Sequence, residues 1–170
     1  GNIDSMVNHY SVNKRRRDKD SYSDEGVMGK RPDRPTIVYT QIVKRLFPHK
    51  PVLIGGIEAS LRRLSHYDYW DDKVRRSILI DSQADLLMYG MGENTIIEVA
   101  DALNSGLRAE DLCYIRGTCW KTKSLEYLSD YVLLPSYEEV CADKHTYAKS
   151  FHIQHENIDA IAASVLVEPY

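Results

Sequence analysis

No stretch of this chain approaches the ~20 consecutive apolar residues that cross a bilayer, and no basic-then-apolar leader opens it. A membrane-spanning role is excluded on this reading, and a cytoplasmic setting is expected. Cysteine is scarce: Cys113, Cys119 and Cys141 are the full set. An odd count at wide, irregular spacing is not a disulfide framework and matches no zinc pattern, so reduced, buried or half-buried thiols are favoured. Charge of one sign is lacking too. Lys and Arg number 22 against 25 Asp and Glu, a net −3, so no global field draws the chain to nucleic acid or to a membrane. There is no His-Glu-x-x-His, and His145, His152 and His155 offer only one i, i+3 pair; no metal site is expected. There is no Gly-x-Ser-x-Gly elbow.

What is present is an alternation of short apolar runs and amphipathic stretches. Val52-Leu53-Ile54 and Leu86-Leu87-Met88-Tyr89 read as buried strands. Val38, Ile42 and Leu46 recur at i, i+4, i+8 behind Pro35, a favoured first helical residue. A short helix fits Asn2 to Tyr10, with Met6, Val7 and Tyr10 on one side. Residues 11–35 are poor in apolar side chains and predict a long surface loop. Asp71 or Asp72 is placed to cap a helix carrying Val74, Ile78 and Leu79.

Thr95 and Glu98 have capping-box spacing, ahead of Ile96, Val99, Ala100 and Leu103. Cys113-Tyr114-Ile115 suggests a third strand, and Tyr131-Val132-Leu133-Leu134 a fourth or an extended connection. Ser136 and Glu139 form a second capping box, opening a helix with Val140, Tyr147 and Phe151. Ile158, Ile161, Ala162 and Val165 suggest a last helix. The expected class is α/β with parallel strands: an α/β segment over 1–134, then a helical extension over 135–170. Three or four short strands make a thin sheet. With no initiator methionine before Gly1-Asn2-Ile3-Asp4, a segment of a longer protein is expected.

The candidate chemistry lies where strands end. Val52-Leu53-Ile54 runs into Gly55-Gly56, followed by Glu58, Ser60, Arg62 and Arg63. Glycines at the carboxyl end of a parallel strand let backbone approach a ligand. The plainer reading is a tight turn with solvated polar residues, and both stay open. The second strand ends in Gly90-Met91-Gly92-Glu93. That run lacks the third glycine of a dinucleotide fingerprint and the Lys-Ser/Thr of a P-loop, so Glu93 is either a ligand-facing carboxylate or a helix N-terminal charge.

Ser65 to Asp72 packs His66, Tyr67, Asp68, Tyr69 and Trp70 into one segment, able to stack and hydrogen-bond a planar ligand. His66 and Asp68 could share a proton; for the individual rings packing is the favoured reading, for the segment as a whole a functional one. Lys14-Arg15-Arg16-Arg17 could meet phosphate, but acids follow at once, which favours a solvated loop.

Long strings in this chain resemble a known family. Gly1 to Met6, Gly29 to Pro35, Gly55 to Arg63, His66 to Trp70, Lys73 to Ser77, Ala84 to Leu87 and Tyr131 to Glu138 are similar to the N-terminal region of the YgiQ family of radical SAM proteins. The resemblance implies a partial flavodoxin-like layered sheet, similar in layout to cobalamin-binding domains, ahead of a radical SAM barrel. It implies that the parent protein cleaves S-adenosylmethionine reductively at a 4Fe-4S cluster and acts on a substrate yet to be named. The cobalamin-ligating Asp-x-His-x-x-Gly and the cluster-binding Cys-x-x-x-Cys-x-x-Cys are both absent here. No cofactor or metal is therefore expected in this segment. It is expected to be an accessory domain that positions substrate or covers the active site, with its own downstream barrel as partner. Two other readings remain: a small-ligand module for a nucleotide or corrinoid-like molecule at the glycine edges, and an RNA-recognition module using Lys14 to Arg17 with the aromatics around Tyr67.

Overall fold

Leu86 and Leu87 are neighbours in the chain, both fully buried, and they belong to different hydrophobic cores. Successive side chains of a strand alternate across the pleat, so such a strand is covered on both faces. The computed structural model describes residues 6–159 and 161–170. Its tertiary contacts divide the chain into two compact units, Gly1–Arg63 with Ser77–Lys121, and Leu64–Arg76 with Thr122–Tyr170.

The first unit runs α1 (Met6–His9), a 3-10 turn (Asp24–Gly26), α2 (Pro35–Leu46), β1 (Leu53–Ile54) and α3 (Gly56–Leu61). The chain then leaves for the second unit, forming β2 (His66–Asp68) and β3 (Lys73–Arg75) there. It returns with α4 (Ile78–Ser82), β4 (Leu86–Met88), α5 (Glu93–Asn104), a second 3-10 turn (Ala109–Tyr114) and β5 (Thr118–Cys119). The sheet order is β1-β4-β5. Strand β1 is parallel to β4, with Leu53 opposite Leu86 and Ile54 opposite Leu87; β5 is antiparallel.

Ile54 and Leu87 pack with Ala59 of α3, Ile78 and Leu79 of α4, and Ile37 of α2. On the other face Leu53, Leu86 and Met88 meet Val99 and Ala102 of α5, then Leu112 and Ile115. The result is helix, sheet, helix, the mixed α/β class that the alternation implies. Asp85 fixes the start of both parallel strands. Its carboxylate accepts from Lys44 Nζ at 2.7 and 2.8 Å and from Val52 N at 2.7 Å.

The second unit pairs β2 with β3 as an antiparallel hairpin. It continues with β6 (Tyr131–Leu133), α6 (Tyr137–Ala142), α7 (Lys144–Glu156) and β7 (Val165–Val167), with β6 parallel to β7. Ser65 N donates to both carboxylate oxygens of Glu168, at 3.1 and 2.9 Å. Burial pushes the Glu168 carboxyl above its usual range, against the opposing pull of Ser65. Tyr67 N donates to Tyr147 Oη at 3.2 Å. No helix among the described residues is long and apolar enough to cross a membrane.

Several local expectations hold. Pro35 opens α2, Tyr131–Leu133 is a strand, and Ser136 with Glu139 closes a capping box. Of the proposed first helix, Met6–His9 is helical and residues 2–5 lie outside the described residues.

Other expectations are corrected. Val74 lies in a strand, because Asp72 turns the chain back (φ 52°) and pairs Lys73–Arg75 with His66–Asp68. Helix α4 is instead capped by Ser77, whose Oγ accepts from Leu79 N. Thr95 lies inside α5, behind Gly92 as N-cap, and its hydroxyl donates to Arg116 O at 3.3 Å. The buried stripe is therefore Thr95, Val99 and Ala102, and Ile96 faces out. Cys113 and Tyr114 belong to a 3-10 turn, where Leu112 and Ile115 share a face at spacing three. The predicted helix over Val140, Tyr147 and Phe151 is two helices, broken at Asp143, which caps α7. Val165 is in β7, because Asn157 exchanges two hydrogen bonds with the Ser164 backbone and ends the helical path.

Leu87→Ala should cost about 2–5 kcal/mol of unfolding free energy in urea, through lost burial plus a cavity. Leu133→Ala, at a position 57% exposed, should stay within about 0.5 kcal/mol. Equal losses at the two positions would contradict the core assignment.

Candidate functional site

Because β1 and β4 are parallel and in register, their carboxyl ends leave the sheet on the same edge. Both exits use backbone that only glycine adopts without strain: φ is +86° at Gly56 and +73° at Gly90. Gly55 is extended and needs no such freedom. Ser60, near the end of α3, joins the two exits. Its Oγ donates to Gly56 O at 2.9 Å and accepts from Gly90 N at 3.0 Å.

Arg63 Nη1 donates to Ser60 O at 2.6 Å, and its guanidinium lies 5.0 Å from the centre of the Tyr89 ring, within cation–π range. Burial pushes the Tyr89 phenol above its usual 10.0, while Arg63 and Arg116 pull the other way. Tyr89 N donates to Gly117 O at 2.8 Å, bringing a third loop to the edge. Beyond Gly90 the edge is open. Met91 is 90% exposed, a Cβ at Gly92 would meet nothing within 4 Å, and Glu93 is exposed at the start of α5.

The sequence-named residues separate into three groups. Gly55, Gly56, Ser60, Arg63, Gly90, Gly92 and Glu93 gather at this edge. Glu58 is buried, accepting from Thr36 Oγ1 at 2.9 Å and from Arg62 Nη1 at 3.3 Å. With Arg62 it ties α3 to the start of α2. His66, Tyr67, Asp68 and Trp70 belong to the hairpin of the second unit.

In that hairpin Asp68 is buried, accepting from Arg75 Nε at 2.6 Å and Trp70 N at 2.9 Å. Arg75 also pairs with Asp71. His66 Nδ1 donates to Leu64 O at 3.1 Å, since a carbonyl only accepts. Tyr67 Oη donates to Asp72 Oδ1 at 2.5 Å, which raises the phenol above its usual 10.0. Tyr67 and Tyr69 remain exposed, and Tyr69 meets Trp70 edge-on at 6.4 Å.

Composition concealed one cluster. Asp20, inside a run of alternating charges, is fully buried. Arg31 grips it from Nε at 2.7 Å and Nη2 at 2.6 Å, and Tyr22 N donates at 3.0 Å. His9 Nε2 lies 3.1 Å from Asp20 Oδ2, its Nδ1 2.7 Å from Asp33 Oδ1. Tyr10 Oη donates to Asp33 Oδ2 at 3.2 Å. The Arg31 grip holds the Asp20 carboxyl far below its ordinary 3.8, against the opposing effect of burial. The one sequence signal for it was Asp20 with Tyr22 at Asx-turn spacing. Lys14 to Arg17, by contrast, is exposed and curls through a turn closed by Ser11 N donating to Arg15 O at 2.8 Å.

Cys113 and Cys119 are half-buried in the first unit, and Cys141 is exposed on α6 in the second. Among the described residues no group of three or more His, Cys, Asp or Glu is placed to hold a metal ion.

A family model described as Radical SAM N-terminal matches residues 1–170. The chain belongs to the radical SAM N-terminal family. It is similar to a UPF0313 protein of Clostridium perfringens, 52% identical over 171 residues, and to one of Clostridium botulinum, 50% identical over 170. In both comparisons all of this chain is covered but only 26% of the relative. The chain thus spans about a quarter of the length of the curated relatives it matches. No solved structure matches it. Family membership agrees with the resemblance carried by Gly55 to Arg63 and His66 to Trp70.

The Asp20 network gives a pH prediction. A carboxyl depressed by folding stabilises the fold above its unfolded pKa, and that contribution is lost as pH falls through the folded value. Stability to urea should therefore fall from about pH 5 to about pH 2, and less steeply in Asp20→Asn, which should also be the less stable protein at pH 7. Identical pH profiles would show that Asp20 is not held by Arg31.

Proposed function

We propose that this chain is an accessory N-terminal domain of a cytoplasmic radical SAM protein, and that its shared glycine edge faces the substrate or covers the active site of that protein. One observation carries the reading. Two parallel strands end in Gly55-Gly56 and Gly90-Met91-Gly92 on one edge, tied by the Ser60 hydroxyl. In α/β sheets this carboxyl edge is where ligands bind.

The family match supports the placement within a radical SAM protein. The resemblance assigns the 4Fe-4S cluster and S-adenosylmethionine to the downstream barrel, and the finer flavodoxin-like description of the sheet belongs to the same reading. In this chain the chemistry is positioning. The exposed Met91 and Glu93 stretch and the Arg63 guanidinium offer backbone and positive charge to a ligand. Glu93 offers a carboxylate. The hairpin residues His66, Tyr67, Asp68 and Trp70 are a second candidate surface, with Tyr67 and Trp70 able to stack.

Two experiments test this. Anaerobic treatment of the isolated chain with iron and sulfide should give no cluster absorption, and a stoichiometric 4Fe-4S spectrum lost on changing Cys113, Cys119 and Cys141 would contradict it. In the full-length parent, Gly92→Leu should leave folding intact, because φ is −89° and the space is open. It should change the rate of S-adenosylmethionine cleavage by about tenfold or more, as misplacement near a reacting centre does. An unchanged rate with unchanged folding would remove the edge from the reaction.

A further inference from the structure

Helix α2 carries apolar side chains on its outer face as well as its inner one. Four of its polar side chains turn inward, Thr36 on Glu58, Gln41 on Asp81 O at 2.9 Å, Lys44 on Asp85, with Thr40 buried, while Arg45 is exposed. Tyr39, Val43 and Leu46, at i, i+4 and i+7, instead face outward, followed directly by Phe47. Their exposures are 49, 39, 67 and 55%. A helix on a protein's outer surface turns its polar face to water, and one with apolar side chains on its outer face as well belongs to an interior. Ile37 of the same helix already packs into the first core, so α2 has an apolar contact on its inner side too. A contiguous apolar stripe on an otherwise finished layer marks an interaction surface.

We propose that Tyr39, Val43, Leu46 and Phe47 form a seam covered by the part of the parent protein that lies outside these 170 residues. The occupant follows from length. Relatives about 50% identical contain this chain as 26% of their own, which leaves most of such a protein to be placed against it. A second copy of this chain would have to compete with a covalently attached partner, whose effective concentration is in the millimolar range or above. The inference rests on the reading that the chain works within a longer protein, and it assigns a surface remote in role from the glycine edge.

The test is thiol labelling of the full-length parent carrying Val43→Cys, read by peptide mass after maleimide treatment. Labelling in the native protein should be at least about tenfold slower than in urea, because it requires local opening of the seam. Equal rates in the two states would overturn the proposal. Protection that disappears on dilution, as a dimer dissociates, would overturn it in favour of a second copy. If Val43→Cys fails to unfold cooperatively, Leu46→Cys at the last position of α2 decides by the same criteria. The readout involves neither ligand nor turnover, so an uncovered seam would leave the glycine-edge reading standing. An inert Gly92→Leu would likewise leave the seam standing.

Discussion

The parallel pairing of Leu53-Ile54 with Leu86-Leu87 is the constraint on which the first unit depends. It is short, yet it does two things at once. By the alternation of the pleat it sends Ile54 and Leu87 to one core and Leu53 and Leu86 to the other. By running parallel it delivers two glycine-containing exits to one edge. An antiparallel pairing of the same residues could preserve much of the burial and would place the exits at opposite ends. The geometry of this edge is thus a consequence of strand direction rather than of any single polar side chain. Asp85 reinforces that direction from the other end, joining Lys44 to the amide of Val52.

Polar residues in this chain act mainly as fasteners. Asp20, Glu58 and Asp68 are all buried carboxylates, and each meets a guanidinium: Arg31, Arg62 and Arg75. Burying a carboxylate is unfavourable unless it is paired and hydrogen-bonded, and each of these three also accepts from a further backbone or hydroxyl donor. Their common effect is to fix irregular backbone: the long 11–35 segment, the α3 junction and the hairpin turn. None of these three pairs lies at the strand-end edge or on the outer face of α2.

Much of this was legible in the sequence where one physical signal dominates. The apolar runs ending in Gly55-Gly56 and Gly90 identified both strands and their shared edge, since parallel strands covered on both faces are uniformly apolar. Pro35 and the Ser136–Glu139 box marked helix starts because their chemistry is local. Legibility failed where tertiary partners decide. Thr95 looks like a cap but lies inside α5, three residues past the Gly92 N-cap, with its hydroxyl on the Arg116 carbonyl. Val74 looks helical until the Asp72 turn pairs it with Tyr67. Asp20 sits in a charge run indistinguishable from a solvated loop, and only Arg31, eleven residues on, makes it a buried anchor. Glu58 was grouped with the edge by proximity along the chain, whereas two residues of helix put it about 200° round from Ser60, on the face it shares with Arg62 one turn on.

The direction and register of one strand pair carry the account, so nuclear Overhauser contacts across that pair test it most directly. The parallel register predicts backbone contacts linking Leu53 with Leu86 and Ile54 with Leu87, together with contacts from the Ser60 side chain to the Gly90 amide. Contacts that instead link Leu53 with Leu87 and Ile54 with Leu86, and none between Ser60 and Gly90, would mean an antiparallel pair. The glycine edge would then not exist.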